Sequence, residues 1–376
     1  MRDLLEIRGE IDAIDNEIVA LYEKRMRLAA DVAEYKIAHG RQVFDRERER
    51  SKLIALEERA DSDFTRNGIR ELFEQIMSMS RKKQYQLLTE HGIETKPDFV
   101  QVKELDYRGA RIVFQGVEGA YSQQALKAYF GDGCDAYHVE TWKDAMEAIK
   151  RGEADYAVLP IENSSAGIVP ENYDLLVEYD NYIVGEQIIQ IEHALLALPG
   201  SELNDITCVY SHPQALMQCS VYFDEHRECE KISVKNTALA AKKVKEDGLP
   251  GQAAIASEIT ADIYGLKVLE RAIQNNKNNK TRFIIVTGRM LCMESAERIS
   301  ICFEAAHESG SLYRMLSHFI YNGVNMTNIQ SRPIPGRNWE YRFFVDFEGK
   351  FTDTAVQNAL RGLREETIYF KILGTY

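Results

Sequence analysis

Leu4, Ile7, Ile11, Ile14, Ile18, Leu21, Arg25, Leu28, Val32 and Tyr35 follow one another at alternating steps of three and four, and all but Arg25 are apolar or aromatic. That period marks the buried stripe of one long helix. A guanidinium held in such a stripe without a counter-charge costs several kcal/mol. Something anionic must therefore reach Arg25, either a carboxylate of this chain or a ligand. The helix is expected from about Asp3 to Ala38, closed by His39-Gly40, which makes it ~50 Å long. A compact domain of this size has a radius of gyration of only ~13 Å. A second helix from Asp45, its N-cap, to about Arg59, and a third from about Thr65 or Asn67 to Leu88, are too short to cover it. An intertwined dimer is the expected cover; packing on later parts of the same chain is the alternative.

Arg25 is not alone. Lys36 lies three turns further on the same side, ~16 Å away. Glu49 shares a stripe with Leu53 and Leu56, while Ile69, Leu72, Phe73, Ile76 and Leu87 define another that passes through Ser80 and Gln84. Polar groups facing a small helical core predict a pocket inside a bundle. A small poly-anionic ligand suits it, because Arg matches carboxylates through its planar fork and Lys is a compact charge. The alternative is a buried ion-pair network in which Glu49 satisfies Arg25 or Lys36.

The chain has 376 residues, enough for two or three domains. A net charge of −13 argues against nucleic acid as partner. No apolar run approaches the ~18 residues of a membrane span. The Met1-Arg2-Asp3 start lacks a signal-peptide core, so no membrane association and a cytoplasmic location are expected. The six cysteines form no C-x-x-C pair and the histidines no H-x-x-x-H, which fits reduced thiols, no metal and no other cofactor.

Beyond residues 1–90, the stretch 91–108 with Lys96-Pro97-Asp98 reads as a linker. From 109 to 290 short apolar runs (Ile112–Phe114, Tyr156–Leu159, Thr207–Tyr210, Ala253–Ala256, Phe283–Val286) alternate with helical stretches (Ser122–Phe130, Thr141–Lys150, Gln214–His226, Ala238–Lys245). This predicts an α/β domain with parallel sheet, folded as two lobes around a cleft. Residues 298–376 read as strand, helix, strand, strand, helix, strand, the order of an α+β ferredoxin-like module.

At their spacings, Arg8, Arg25, Lys36, Asp45, Arg48, Glu49, Ser80 and Gln84 closely resemble the all-α three-helix chorismate mutase family. The resemblance implies an intertwined homodimer, or a higher homo-oligomer, that converts chorismate to prephenate by a Claisen rearrangement. With no covalent intermediate and no proton transfer, catalysis there is orientation plus electrostatics. It further implies that Lys36 and Gln84 donate to the ether oxygen and that Arg25 and a partner chain's Arg8 hold the two carboxylates. Glu49, near Asp45, takes the ring hydroxyl, Ser80 assists at a carboxylate, and Arg48 is a binding residue.

Three loops stand at ends of predicted strands, where ligands bind in open α/β sheets. They are Gly116–Ser122, Glu162–Gly167, and Ser211–Gln214 with Gln218 one turn along. Thr281-Arg282-Phe283 enters a strand from the Asn-rich loop 275–279. Together and in this order they resemble prephenate dehydratase, whose signature is Thr-Arg-Phe and whose two α/β lobes are similar to periplasmic binding proteins. The implied reaction is decarboxylation of prephenate with loss of its hydroxyl, giving phenylpyruvate. Thr281 would be nearest that chemistry, with Glu162 as acid or orienter and Asn163, Ser164, Ser211, Gln218 and Arg282 as contacts.

In the last module Gly310-Ser311-Leu312 and Gln330-Ser331-Arg332-Pro333 resemble the phenylalanine-binding motifs of the regulatory ACT domain. Gln330 stands where that family usually has Glu, and Tyr313 enlarges a position usually held by Val. The resemblance spans the whole multidomain chain and implies a two-step enzyme of phenylalanine biosynthesis with feedback by phenylalanine. The alternatives are a non-catalytic amino-acid sensor on a helical dimeriser, or an enzyme with one functional site.

Overall fold

The computed structural model describes residues 2–93 and 98–376; Met1 and the Lys96-Pro97 part of the expected linker lie outside the described residues. The chain divides into two compact units, residues 1–97 with 301–372, and residues 98–300 with 373–376.

The first unit begins with α1 (Leu4–His39), entered through Asp3, whose carboxylate accepts from Leu5 N, and closed by Gly40 at φ 60°. Of its side chains only Ala29 and Ala33 are fully buried. Ile11, Ile14, Ile18 and Leu21 are at least half exposed, so no later part of the unit covers this stretch of the apolar stripe. α2 (Arg46–Glu57) starts at the expected cap Asp45, whose carboxylate accepts from Arg48 N at 3.0 Å. α3 (Asp63–Glu90) starts earlier than the sequence predicts, because Ser62 and Thr65 form a reciprocal capping box. Leu72, expected on its inward stripe, is half exposed.

In the second unit the chain forms β1 (Val100–Val102), β2 (Arg111–Gln115), α4 (Tyr121–Phe130), β3 (Asp135–Val139), α5 (Trp142–Lys150) and β4 (Tyr156–Asn163). It continues through β5 (Gly167–Ile168), α6 (Pro170–Glu178), β6 (Tyr182–Gln190), β7 (Ala194–Ala197), β8 (Cys208–Ser211), α7 (Pro213–Gln218) and α8 (Ser220–Glu225). There follow β9 (Glu230–Ser233), α9 (Thr237–Asp247), β10 (Gln252–Ala256), α10 (Glu258–Tyr264), β11 (Lys267–Glu270), β12 (Lys280–Thr287) and β13 (Leu291–Met293). Two sheets result, ordered β6-β12-β4-β2-β3 and β11-β7-β10-β8-β9, each with its own apolar core. These are the two expected lobes.

The sheets are mixed rather than parallel. β2 runs parallel to β3 and β4, but β12 is antiparallel to both β4 and β6. The chain leaves the first sheet along β6, builds the second, and returns along β12, so those two strands must oppose each other. The predicted helix 214–226 is broken at Cys219. Asn275 enters the break, donating its N–H to Gln218 O at 2.7 Å and accepting Val221 N at 3.1 Å. β1, within the expected linker, pairs in parallel with β13.

The last segment forms β14 (Arg298–Glu304), α11 (Ser311–Tyr321), β15 (Met326–Pro333), β16 (Tyr341–Glu348), α12 (Thr354–Glu366) and β17 (Tyr369–Thr375), with sheet order β15-β16-β14-β17. Within the first unit α12 packs on both α11 and α3. Gly362 makes this approach possible, because a Cβ there would overlap the ring of the wholly buried His318 on α11. Gly362→Ala is expected to destabilise the chain by ~1–3 kcal/mol through overpacking, read as a lowered thermal midpoint.

Candidate functional site

The helices of the first unit enclose a cavity of about 590 Å³ lined by Arg25, Lys36, Asp45, Arg48, Glu49, Ser80 and Gln84, with Leu28, Val32, Val43 and Met77 as its apolar wall. All five polar residues read off the helical stripes thus meet in one place. Arg8 does not; it is exposed on α1, ~25 Å along the helix from Arg25.

Arg25 and Lys36, both half-buried in this cavity, lack a carboxylate partner. Arg25 donates to Ile76 O at 3.3 Å and to Ser80 Oγ, and Ser80 donates in turn to Ile76 O at 2.8 Å. Gly40 turns the chain back over the end of α1, so that Lys36 Nζ meets Val43 O at 2.5 Å. Burial lowers the pKa of both groups; Glu49 and Tyr22 partly offset this at Arg25, and Asp45, Glu365 and Glu49 at Lys36. No carboxylate lies within ion-pair distance of either among the described residues. Gln84 donates to Ser80 O at 3.2 Å and leaves its own oxygen buried without a partner.

Glu49 departs from the alternative of a self-neutralised network. Its partner is Arg81, which the sequence analysis missed, and Arg81 also holds Glu366 of α12 at 2.8 and 3.0 Å. Arg81 follows Ser80 directly and stands between the cavity, which it also lines, and α12. No local sequence signal marks it.

In the second unit, the antiparallel register sets Thr281 of β12 opposite Asn163 of β4, and Arg282 opposite Glu162. Asn163 Nδ2 donates to Thr281 Oγ1 at 2.8 Å, to Asn279 Oδ1 at 2.8 Å and to Lys280 O at 3.2 Å. Its oxygen accepts from the N–H groups of Ser165 and Ala166 at 3.0 and 2.8 Å. One amide therefore fixes the whole turn. Thr281 is 8% exposed, and as acceptor from Asn163 it keeps its hydroxyl hydrogen for another partner. Ser164 is tied to Lys280 through its N–H and hydroxyl. Arg282 is engaged by protein groups, Tyr376 at 3.2 Å, Glu162 at 3.5 Å and Glu186 at 3.7 Å.

Ser211 is wholly buried and donates to Ile255 O at 2.7 Å. Gln218 Oε1 lies 3.0 Å from His193 Nε2, and His193 Nδ1 lies 3.1 Å from the Tyr121 hydroxyl. His193 was not anticipated, since nothing near it in sequence carries a motif; burial lowers its pKa against the opposing bond to Gln218. His212 caps α7, accepting from Gln214 N at 3.2 Å. Two cavities of about 290 and 320 Å³ adjoin these groups, the first lined by Gln218, Gln274 and Asn279, the second by Tyr121, His193 and Arg271.

In the last segment Gly310 caps α11 at φ 74°. Ser311 lines a cavity of about 550 Å³ with Arg314, Arg81 and Glu366, and Leu312 is half-buried. Gln330 donates to Asn328 Oδ1 at 3.2 Å. Ser331 and Pro333 are exposed and Arg332 half-buried; this segment does not line the Ser311 cavity. Tyr313 is exposed rather than directed into a socket.

Residues 7–85 match the family model described as chorismate mutase type II, and residues 112–290 that of prephenate dehydratase. A bifunctional chorismate mutase/prephenate dehydratase of Buchnera aphidicola subsp. Schizaphis graminum is 34% identical, over 100% of this chain and 96% of its own length. The protein of the same description from Escherichia coli K12 is 32% identical, over 99% and 96%. The crystal structure of a prephenate dehydratase from Arthrobacter aurescens in complex with L-Phe matches with a TM-score of 0.65 at 33% identity, covering 71% of this chain and 89% of that chain.

Asn163→Asp is expected to loosen the turn around Thr281, because a carboxylate cannot donate to Asn279 or Thr281. The loss in thermal stability should be larger at pH 7 than at pH 4, where a protonated carboxyl still donates one bond.

Proposed function

Because the chain belongs to the bifunctional chorismate mutase/prephenate dehydratase family, we propose that the helical cavity is where chorismate rearranges and the β4–β12 region is where prephenate is dehydrated. The observation that carries the first assignment is the pair Arg25 and Lys36, facing a cavity of about 590 Å³ with no described carboxylate within ion-pair distance of either. A dicarboxylate supplies the missing charge. Arg25 and the Arg8 of a second copy hold its two carboxylates, with Ser80 beside Arg25 and Arg48 as a further contact, and Glu49, near Asp45, takes the ring hydroxyl. Lys36 and Gln84 meet the ether oxygen as its bond to the ring breaks and negative charge collects there. The exposed apolar stripe of α1 supports a homodimer in which a second copy covers it and brings its own Arg8.

In the dehydratase step the bond between ring carbon and carboxylate breaks and carbon dioxide leaves, the electron pair enters the ring, and hydroxide leaves from the opposite carbon, taking a proton to depart as water. Thr281, with its hydroxyl hydrogen unused by Asn163, donates to the leaving oxygen. Glu162 stands one register position away and serves as acid or orienter. Asn163, Ser164, Ser211, Gln218 and Arg282 complete the binding site, Arg282 through its hold on Glu162.

The order β14-α11-β15-β16-α12-β17 supports a ferredoxin-like ACT module over 298–376, beside a mutase domain over 1–90, a linker over 91–108 and a dehydratase domain over 109–290. The L-Phe complex of the Arthrobacter dehydratase supports phenylalanine as effector, bound by Gly310, Ser311, Leu312 and Gln330 to Pro333. No described helix is long and apolar enough to cross a membrane, which agrees with a cytoplasmic enzyme.

With chorismate as substrate, Lys36→Ala is expected to lower prephenate formation by at least ~100-fold and Thr281→Ala to lower phenylpyruvate formation alone; loss of only one activity across both variants would restrict the function to one site. Added phenylalanine should slow phenylpyruvate release. Since burial lowers the Lys36 pKa and its cation is the form required, the alkaline fall in the rearrangement rate should begin below the ordinary lysine range of ~10.4.

A further inference from the structure

We infer that two consecutive carboxylates of α12, Glu365 and Glu366, are positioning residues of the mutase site, so that the C-terminal module forms part of that site's supporting wall. This rests on reading the helical cavity as the mutase site. Arg81 grips Glu366 through a two-pronged contact at 2.8 and 3.0 Å and reaches Glu49 with its remaining nitrogen. Both groups are nearly removed from water, with side chains 5% and 3% exposed. A guanidinium there cannot turn to another partner without abandoning a buried charge. Glu49 is thereby fixed at the cavity edge by an acid that the cavity itself never touches.

Glu365 acts along a second route. Its carboxylate accepts from Phe44 N at 3.0 Å and from the Tyr85 hydroxyl at 3.1 Å. Phe44 follows Val43, whose carbonyl receives Lys36 at 2.5 Å. Glu365 therefore holds the loop that aims Lys36, and its charge also favours the Lys36 cation. The two groups with the most directional tasks in the proposed mechanism are each braced from α12.

The Glu366 carboxyl is prepared for this. Burial alone would raise its pKa, but His318, 3.2 Å away, and Arg81 bring it down to about 2. It remains an anion throughout the working range. A purely architectural contact between modules would need only complementary shape, whereas here each acid ends, within one further residue or loop, on a cavity group.

The test compares the full-length chain with Glu366→Gln, Glu49→Gln and the double variant, assaying rearrangement from chorismate and dehydration from added prephenate. Glu366→Gln should lower rearrangement kcat/KM at least tenfold, mainly through kcat, with dehydration within twofold of the unsubstituted chain. In the Glu49→Gln background the second substitution should change the rearrangement less than twofold, because the path it acts through is already cut. Independent, multiplicative losses, or an equal fall in both activities, would mean that Glu366 merely holds the fold. Should Glu366→Gln fail to fold, the half-buried Glu365→Gln carries the test: it should move the alkaline limb of the rearrangement to lower pH, and an unmoved limb overturns the inference. Lys36→Ala separates the two levels. If it leaves rearrangement intact, the site assignment falls; if it abolishes rearrangement while Glu366→Gln does nothing, only the role of α12 falls.

Discussion

A charge can stay inside a protein only where another group shares it, and the helical cavity of this chain is organised by how Arg81, Arg25 and Lys36 meet that condition. Arg81 meets it within the chain, through Glu49 and Glu366. Arg25 and Lys36 have only carbonyl and hydroxyl oxygens, which solvate but do not neutralise them. The difference separates Arg81, neutralised within the chain, from two cavity cations that are not. Glu49, which borders the same cavity, has its charge shared with Arg81.

The dehydratase region reaches order by another route. Beside the ion pairs of Arg282 with Glu162 and Glu186, the amide of Asn163 ties β4, β12 and the Asn-rich loop together with both of its ends. Neutral hydrogen bonds of this kind hold geometry without setting up a strong field. That suits a step driven by aromatisation, in which the protein has mainly to hold its substrate and assist one departing oxygen.

What could be read in the sequence was whatever is local or periodic. The stripe of α1 and the polar residues on α2 and α3 follow from helical spacing alone, and Arg25, Lys36, Glu49, Ser80 and Gln84 were all brought to one cavity. The order of the last six elements was likewise legible in alternating runs. Arg81 was not, because its anchoring partner is 285 residues distant and because Arg81-Lys82-Lys83 has the composition of a solvated face. The broken helix at Cys219 was missed for the same reason; the group that divides it, Asn275, comes from a remote loop. The mixed sheets were missed because a strand's direction depends on which lobe the chain is leaving, and alternation of strands and helices does not record that.

The first compact unit joins residues 1–97 to 301–372, with the second unit's 98–300 threaded between them in sequence. A ribosome at work on this chain therefore produces the mutase helices first and their bracing helix long afterwards. Until α12 emerges, Arg81 has no buried anion to lie against, and the surface that α12 will cover stays wet. The anchor of Arg81 is thus supplied by the last-made part of the chain, and a message cut short before α12 would leave Arg81 and Glu49 without Glu366.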